Sequence, residues 1–103
     1  MPSVALAPRA QLDIESIVLY TGIVCKQPAA AQQVSDAIYE AFDRLAEFPM
    51  LGEPFEHCEL EKPYRRLLVE SYWLYYEIDG EQIVVRRIFH QKQDIDDFAL
   101  VDF

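Results

Sequence analysis

The sequence predicts a single α+β domain, in which an N-terminal strand leads into an antiparallel helical hairpin packed on one face of a small antiparallel β-sheet. Apolar residues recur at helical spacing over residues 9–48, whereas residues 64–90 are dense in aromatic and β-branched side chains with a period of two. The length of 103 residues is that of one ordinary domain. Since a sheet with one apolar face must bury that face under a second layer, the hairpin is expected to cover it.

Prolines bound the elements of the first half of the chain. The apolar run at residues 3–7 predicts an opening strand, and the apolar spacing after it predicts a helix over 9–25. A second helix is expected over 28–48, because Pro28 stands where a first-turn proline is tolerated and Pro49 ends the apolar pattern. The connection is short, so the two helices should be antiparallel neighbours.

The second half of the chain changes its period. Residues 49–63 carry prolines, a glycine and four acids without periodicity, which predicts a solvated loop. Residues 64–90 predict a three-stranded meander with tight turns at Glu70-Ser71 and Asp79-Gly80. Residues 94–103 mix four aspartates with large apolar side chains, so a short helix, a strand and a mobile segment all remain open there.

The middle strand of the meander defines the two faces of the sheet, because successive side chains of a strand point to opposite sides. One set is expected to face the core under the helices: Tyr72, Leu74, Tyr76 and Ile78. The other set is expected to face outward: Trp73, Tyr75, Glu77 and Asp79.

The charge balance excludes several classes of partner. Lys and Arg number 9 against 18 Asp and Glu, which gives a formal net charge of -9. A field of that sign repels phosphates, so we expect neither direct nucleic-acid binding nor binding to an anionic membrane. The sequence contains neither a long apolar run nor a basic export signal, which predicts a cytoplasmic protein.

No metal or cofactor is expected from the spacing of any residues. Cys25 and Cys58 form no Cys-x-x-Cys arrangement, and a zinc site that added His57 and His90 would need four scattered ligands. No Ser-His-Asp set, Gly-rich phosphate loop or local carboxylate pair is recognisable either.

Two arginine pairs fall on the outer strands of the meander, at Arg65-Arg66 and Arg86-Arg87. Adjacent residues of a strand point to opposite faces, so one arginine of each pair should face away from the helices and form a small cationic spot. The spot would lie beside Trp73 and Tyr75. The alternative is that these arginines pair with carboxylates, which the sequence offers at Glu70, at Glu77 and in the aspartate-rich segment after residue 93.

His90 ends the last strand, where a histidine can serve as a general acid or base or be merely structural. The residues alone do not decide between these roles.

The order of these elements resembles the RelE/ParE superfamily of type II toxin–antitoxin toxins, and its ParE branch in particular. The segment 6–20 is similar to the family's opening strand and first helix, 29–54 to its second helix and following turn, and 64–94 to its sheet. The individual residues that carry the resemblance are Pro8, Arg9, Ala10, Asp13, Ile17, Tyr20, Leu45, Pro49, Gly52, Arg66, Tyr72, Tyr76, Arg87 and His90.

The resemblance implies a small toxin that is neutralised by a cognate ParD-like antitoxin in a hetero-oligomer. RelE-like members cleave ribosome-bound mRNA with basic residues of the sheet and a C-terminal acid or base, for which Arg66, Arg87 and His90 would be the catalytic candidates. ParE-like members instead inhibit DNA gyrase by binding it. Under that interpretation the residues expected to contact target or antitoxin are Arg65, Arg66, Trp73, Tyr75, Arg87 and His90.

The sequence favours the gyrase-binding interpretation over an enzyme. Cleavage of a phosphodiester needs cations at the scissile phosphate, yet residues 67–70 offer none and only Lys92 follows His90. The net charge of -9 also opposes docking on ribosomal RNA. A third interpretation is a detoxified homologue that retains only antitoxin binding, since Gln93 stands where the ParE pattern usually has arginine.

Overall fold

The computed structural model describes residues 2–56, 60, 62–93 and 103. The α+β class is confirmed: within these residues, helices on one side pack against a five-stranded sheet. The elements in chain order are β1 (Ser3–Leu6), α1 (Pro8–Leu19) continued by a π-helical turn (Tyr20–Val24), α2 (Pro28–Glu47), β2 (Glu53–Phe55), β3 (Tyr64–Val69), β4 (Tyr72–Asp79) and β5 (Gln82–His90).

The helical hairpin follows the sequence prediction closely. A proline opens each helix at its first turn, where the missing N–H costs no helical hydrogen bond. Helical structure runs without a break from Pro8 to Val24, against a predicted 9–25, although its last turn is π-helical rather than α-helical. Lys26 ends the hairpin's first arm with a positive φ of 55°, which reverses the chain into α2.

The sheet is mixed rather than antiparallel, with strand order β1-β5-β4-β3-β2. The strands β3 to β5 pair antiparallel, as predicted for the meander, and β2 pairs antiparallel with β3, but β1 pairs with β5 in parallel. The physical reason is the helical hairpin, which follows β1 in the chain and precedes all the other strands. The hairpin carries the chain across one face of the sheet. The β1 strand therefore joins the far edge in the direction of β5.

The prediction of a loop over 49–63 is wrong for Glu53–Phe55, which forms the edge strand β2. Three residues are too few to show a period of two, and Pro54 argues against a strand unless that strand lies at an edge. Here it does, because the described residues of β2 pair on one side only, with Tyr64–Arg66 of β3.

The core lies between the hairpin and the inner face of the sheet. Leu74 and Tyr76 of β4 are fully buried there, as predicted, whereas Ile78 is 41% exposed because it lies beyond the cover of the helices. The core cluster comprises Ala10, Ile14, Ile38, Ala41, Phe42, Leu45, Val69, Leu74, Tyr76, Ile83, Val85 and Ile88.

A buried phenol fixes the loop that leaves α2. The Gly52 N–H donates to the Tyr76 Oη at 2.9 Å, and the Tyr76 O–H donates to the Pro49 C=O at 2.8 Å. A Cβ at Gly52 would lie 2.7 Å from the Arg66 carbonyl oxygen, so only glycine permits this close approach. The residues between α2 and β2 are therefore held against the sheet.

Two predictions, on the fold of 94–103 and on the ligands His57 and Cys58, concern residues outside the described part of the chain. The segment 94–103 is described only at Phe103, and His57 and Cys58 are not described. Among the described helices, none combines the length and the apolar character needed to cross a membrane.

Candidate functional site

The face of the sheet opposite the helices carries an aromatic cluster, which we call the outer aromatic cluster. Its members are Phe55, Tyr64, Tyr75, Phe89 and Phe103. The rings of Phe55, Phe89 and Phe103 lie 5.0, 5.7 and 5.3 Å from the ring of Tyr75 and meet it edge to face. Tyr75 therefore lies on the outward face, as predicted, but the surrounding rings cover it and leave it only 1% exposed.

Arg66 lies at the border of this cluster. Its guanidinium stacks over the Trp73 ring at 4.1 Å, with the Phe55 ring at 5.4 Å, and its Nε donates to the Glu53 carboxylate at 2.7 Å. Burial on its own lowers the pKa of Arg66, but the hydrogen bonds to Tyr75 and Glu53 outweigh it and leave the pKa raised. The Arg66 side chain keeps 30% of its surface exposed, so with Trp73 it forms an accessible cationic and aromatic spot.

A β-bulge changes the expected placement of the second arginine pair. Tyr75 pairs with Arg87 and Tyr76 pairs with Val85, so Arg86 is an extra residue in β5. Arg86 binds Glu77 at 2.9 Å on the outer side, whereas Arg87 stacks on Phe89 at 4.4 Å while its guanidinium reaches Asp13 of α1. The alternative of an ion pair with Glu77 is confirmed for Arg86, and it explains why Glu77 is only 4% exposed.

Arg87 joins β5 to α1 through an ion pair that we call the Asp13–Arg87 clamp. The Arg87 Nε and Nη2 donate to the two carboxylate oxygens of Asp13 at 2.7 and 3.1 Å. The same carboxylate accepts the Ile88 N–H at 3.0 Å. Arg87 is 6% exposed, so most of its side chain is buried where these charge-assisted hydrogen bonds form.

His90 lies beside an open cavity of about 410 Å³ between α1 and the end of β5. Its Nδ1 accepts the Lys92 N–H at 3.1 Å, and its ring meets Tyr72 edge to face at 5.2 Å. Arg87 and His90 both line this cavity, but Arg66 does not. The fold therefore does not gather the three catalytic candidates at one site.

Arg65 is placed on the opposite side of β3 from Arg66, as the alternation predicts. It pairs in register with Tyr76 and points to the end of the core face, where its Nη2 lies 3.5 Å from the Met50 C=O. Within the residues that the structure describes, no group of three His, Cys, Asp or Glu side chains could hold a metal ion.

The buried phenols make the fold sensitive to alkaline pH. Burial raises the pKa of Tyr75, against a hydrogen bond from Arg66, and burial also raises the pKa of Tyr76, against the Gly52 N–H. The folded state therefore favours the neutral phenols. This stabilisation is fully present below the phenol pKa of the unfolded chain and is lost as pH rises through the folded values.

We expect the free energy of unfolding to fall above about pH 10, by about 1.4 kcal/mol per pH unit for each phenol. Urea unfolding at a series of pH values measures this slope. Tyr76→Phe should remove one phenol's share of the slope. An equal slope in the Tyr76→Phe variant and the unaltered protein would contradict the assignment.

The fold is shared with toxin–antitoxin systems of known structure. A chain of the chromosomal ParDE system from P. aeruginosa aligns with a TM-score of 0.71 and 22% identity, over 87% of this chain and 96% of that one. A chain of the toxin–antitoxin complex RelBE2 from Mycobacterium tuberculosis aligns with a TM-score of 0.59 and 23% identity, over 87% and 99%. These likenesses show that the chain shares its fold with chains of both systems.

The sequence then identifies the branch. The family model of the ParE toxin of the type II toxin–antitoxin system parDE matches residues 4–95. Toxin ParE1 of Mycobacterium tuberculosis, in strains CDC 1551/Oshkosh and H37Rv, is 33% identical over 94 residues, which cover 88% of this chain and 91% of the relative. The chain belongs to the ParE family of type II toxin–antitoxin toxins, as the resemblance in the sequence implied.

Proposed function

We propose that the protein inhibits DNA gyrase by binding it, acts in the cytoplasm, and is neutralised by a cognate ParD-like antitoxin. Its membership of the ParE family supports the class of target and the class of partner. The toxin is then a binding protein rather than a catalyst, and it works without a cofactor.

The observation that carries this proposal is the state of the sheet arginines. A ribonuclease would direct cations at the scissile phosphate, but Arg66 is engaged by Glu53 at 2.7 Å and Arg87 by Asp13 at 2.7 Å. A cation that already holds a carboxylate offers little stabilisation to a second anion. The accessible Arg66–Trp73 spot has instead the chemistry of a protein interface, where arginine and aromatic side chains are enriched.

The helical hairpin supplies a second accessible surface for a partner. Large apolar side chains are exposed at the end of its first arm, namely Leu19, Tyr20, Ile23 and Val24 at 57%, 61%, 69% and 66%. Exposed apolar side chains grouped in this way mark a surface that another chain covers. Antitoxin and gyrase would divide the Arg66–Trp73 spot and this hairpin surface between them.

The first experiment is induced expression without the neighbouring gene, with growth, filamentation and bulk translation scored in one culture. Growth arrest with filaments and intact translation supports gyrase inhibition, and purified protein should then reduce supercoiling by gyrase. Arg66→Ala and Trp73→Ala should weaken that inhibition, whereas Arg44→Ala on the surface of α2 should not. Unimpeded growth with folded protein would point to the detoxified homologue.

A RelE-like ribonuclease is the second candidate, because Arg87 and His90 line the same open cavity. Its signature would be arrest with translation shut off and cleaved transcripts. His90→Ala should abolish that cleavage, since a general acid or base would be lost. Transcript cleavage that depends on His90 would overturn the gyrase proposal.

A further inference from the structure

Arg65 differs from the other arginines of the sheet in its partners. Arg66, Arg86 and Arg87 each hold a carboxylate at 2.7 to 2.9 Å. Within the described chain Arg65 reaches only neutral oxygens, the Met50 C=O at 3.5 Å and the Tyr76 phenol, and its buried Nε has no acceptor. A guanidinium with unused donors is a strong site for an incoming anion.

This arginine lines a cavity of about 310 Å³ at the end of the sheet nearest the C-terminal end of α2. The walls are largely apolar and come from Met50, Pro54, Pro63, Tyr64 and Ile78, with Glu56 also at the cavity. Although Glu56 lines the same cavity, it forms no ion pair with Arg65 in the described structure. The cationic group therefore sits in an apolar setting that raises its attraction for a carboxylate.

Exposed apolar side chains lie in the cavity wall, at Met50 and Ile78, and in the loop that contributes Met50 to it. Phe48, Met50, Leu51 and Ile78 are 57%, 65%, 42% and 41% exposed, and all but Ile78 belong to the loop that leaves α2. That loop is fixed by the Tyr76 hydrogen bonds to Pro49 and Gly52, so its surface is in place before any partner arrives. A preformed surface with an apolar rim and a central arginine has the composition of a protein interface.

We propose that this cavity is a docking subsite for the antitoxin, which inserts an aspartate or glutamate next to a large apolar side chain. The carboxylate would bind the Arg65 guanidinium, and the apolar side chain would cover Met50 and Ile78. The inference rests on the proposed function, because it assumes that an antitoxin binds this chain.

Charge decides among the possible occupants. A nucleic-acid backbone would have to approach a chain of net charge -9 to reach one arginine. A second copy of this chain would bring a further net charge of -9 to the contact, so self-association here is opposed as well. A protein segment with a single acid among apolar residues can bind Arg65 and also cover the apolar side chains around it. It brings less negative charge than a nucleic acid or a second copy of this chain.

The test is the affinity of the full chain for the full antitoxin encoded by the neighbouring gene, measured by titration calorimetry. Arg65→Gln should weaken binding roughly 10-fold to 100-fold, which corresponds to a lost charge-assisted hydrogen bond. Arg65→Lys should recover part of the loss, and Met50→Ser should weaken binding without altering the fold, since its side chain is mostly exposed. The salt dependence of the affinity should also diminish in the Arg65→Gln variant.

Two matched controls make the outcome decisive. Arg44→Gln removes an exposed cation from α2, and Leu12→Ser removes an exposed apolar side chain from α1 that lies outside the proposed partner surfaces. Unchanged affinity in both the Arg65→Gln and Met50→Ser variants, while the unaltered chain still binds, would overturn the subsite and leave the proposed function standing. Absence of antitoxin binding by the unaltered chain would overturn both. If Arg65→Gln unfolds the protein, two other measurements decide the question. They are the affinity of the Met50→Ser variant and the change in the NMR signal of the Met50 methyl group when the unaltered chain binds the antitoxin.

Discussion

Asp13→Ala is expected to lower the free energy of unfolding by about 3–5 kcal/mol, the range for breaking a buried ion pair on one side. The substitution would leave the Arg87 guanidinium, which is 6% exposed, without its carboxylate. It would also leave the Ile88 N–H without its acceptor. Chemical denaturation monitored by circular dichroism measures the loss.

The control for this prediction is Glu15→Ala, which removes an exposed acid two residues further along α1 and should change stability by less than about 0.5 kcal/mol. Adding Arg87→Leu to Asp13→Ala should recover part of the loss, because the uncompensated charge disappears while Ile88 stays unsatisfied. Equal stability of the Asp13→Ala and Glu15→Ala variants would show that the Asp13–Arg87 clamp is not needed for the fold.

Tyr75→Ala is expected to destabilise the protein by about 3–5 kcal/mol, the usual cost of removing a buried aromatic side chain. The ring of Tyr75 is the one that Phe55, Phe89 and Phe103 all contact, so its loss opens a cavity in the middle of the outer aromatic cluster. Thermal and urea unfolding of the purified variant measure the effect.

Tyr75→Phe is the informative companion, because it keeps the ring and removes only the hydroxyl that Arg66 contacts. It should retain most of the stability, and exposed Tyr20→Ala should cost less than about 1 kcal/mol. If the Tyr75→Ala variant kept its stability but lost activity, Tyr75 would instead be a residue that binds the target or the antitoxin.

The elements that the sequence predicts well are those whose signal is local. Residues 28–47 repeat their apolar positions over several turns, and residues 72–79 alternate over a whole strand, so both were recognisable without any knowledge of partners. The strand Glu53–Phe55 and the parallel direction of Ser3–Leu6 depend on pairing with distant residues. No pattern within these short segments records such pairing.

The candidate site shows the same difference between local features, which the sequence predicts, and contacts between distant residues, which it does not. The alternation along β3 correctly separated Arg65 from Arg66, whereas the bulge at Arg86 moved the second pair in a way that no periodicity reveals. The burial of Tyr75 depends partly on Phe103, which lies in a segment whose fold the sequence left open. Asp13 offered only a weak signal, since an acid early in a helix is explained equally well by the helix dipole.

The placement of the Asp13 carboxylate also affects the tendency of the protein to aggregate at high concentration. Among the described residues, β1 pairs with β5 only from Gln82 to Val85, so no described strand covers the remainder of β5 on that side, where the Ile88 N–H is one of the donors. An edge donor of this kind is a template onto which the strand of another molecule can add, with aggregation as the result. Asp13 occupies the position that the foreign carbonyl would take. A single side chain of α1 thus blocks strand addition at the part of the β5 edge that β1 does not pair with, which favours solubility.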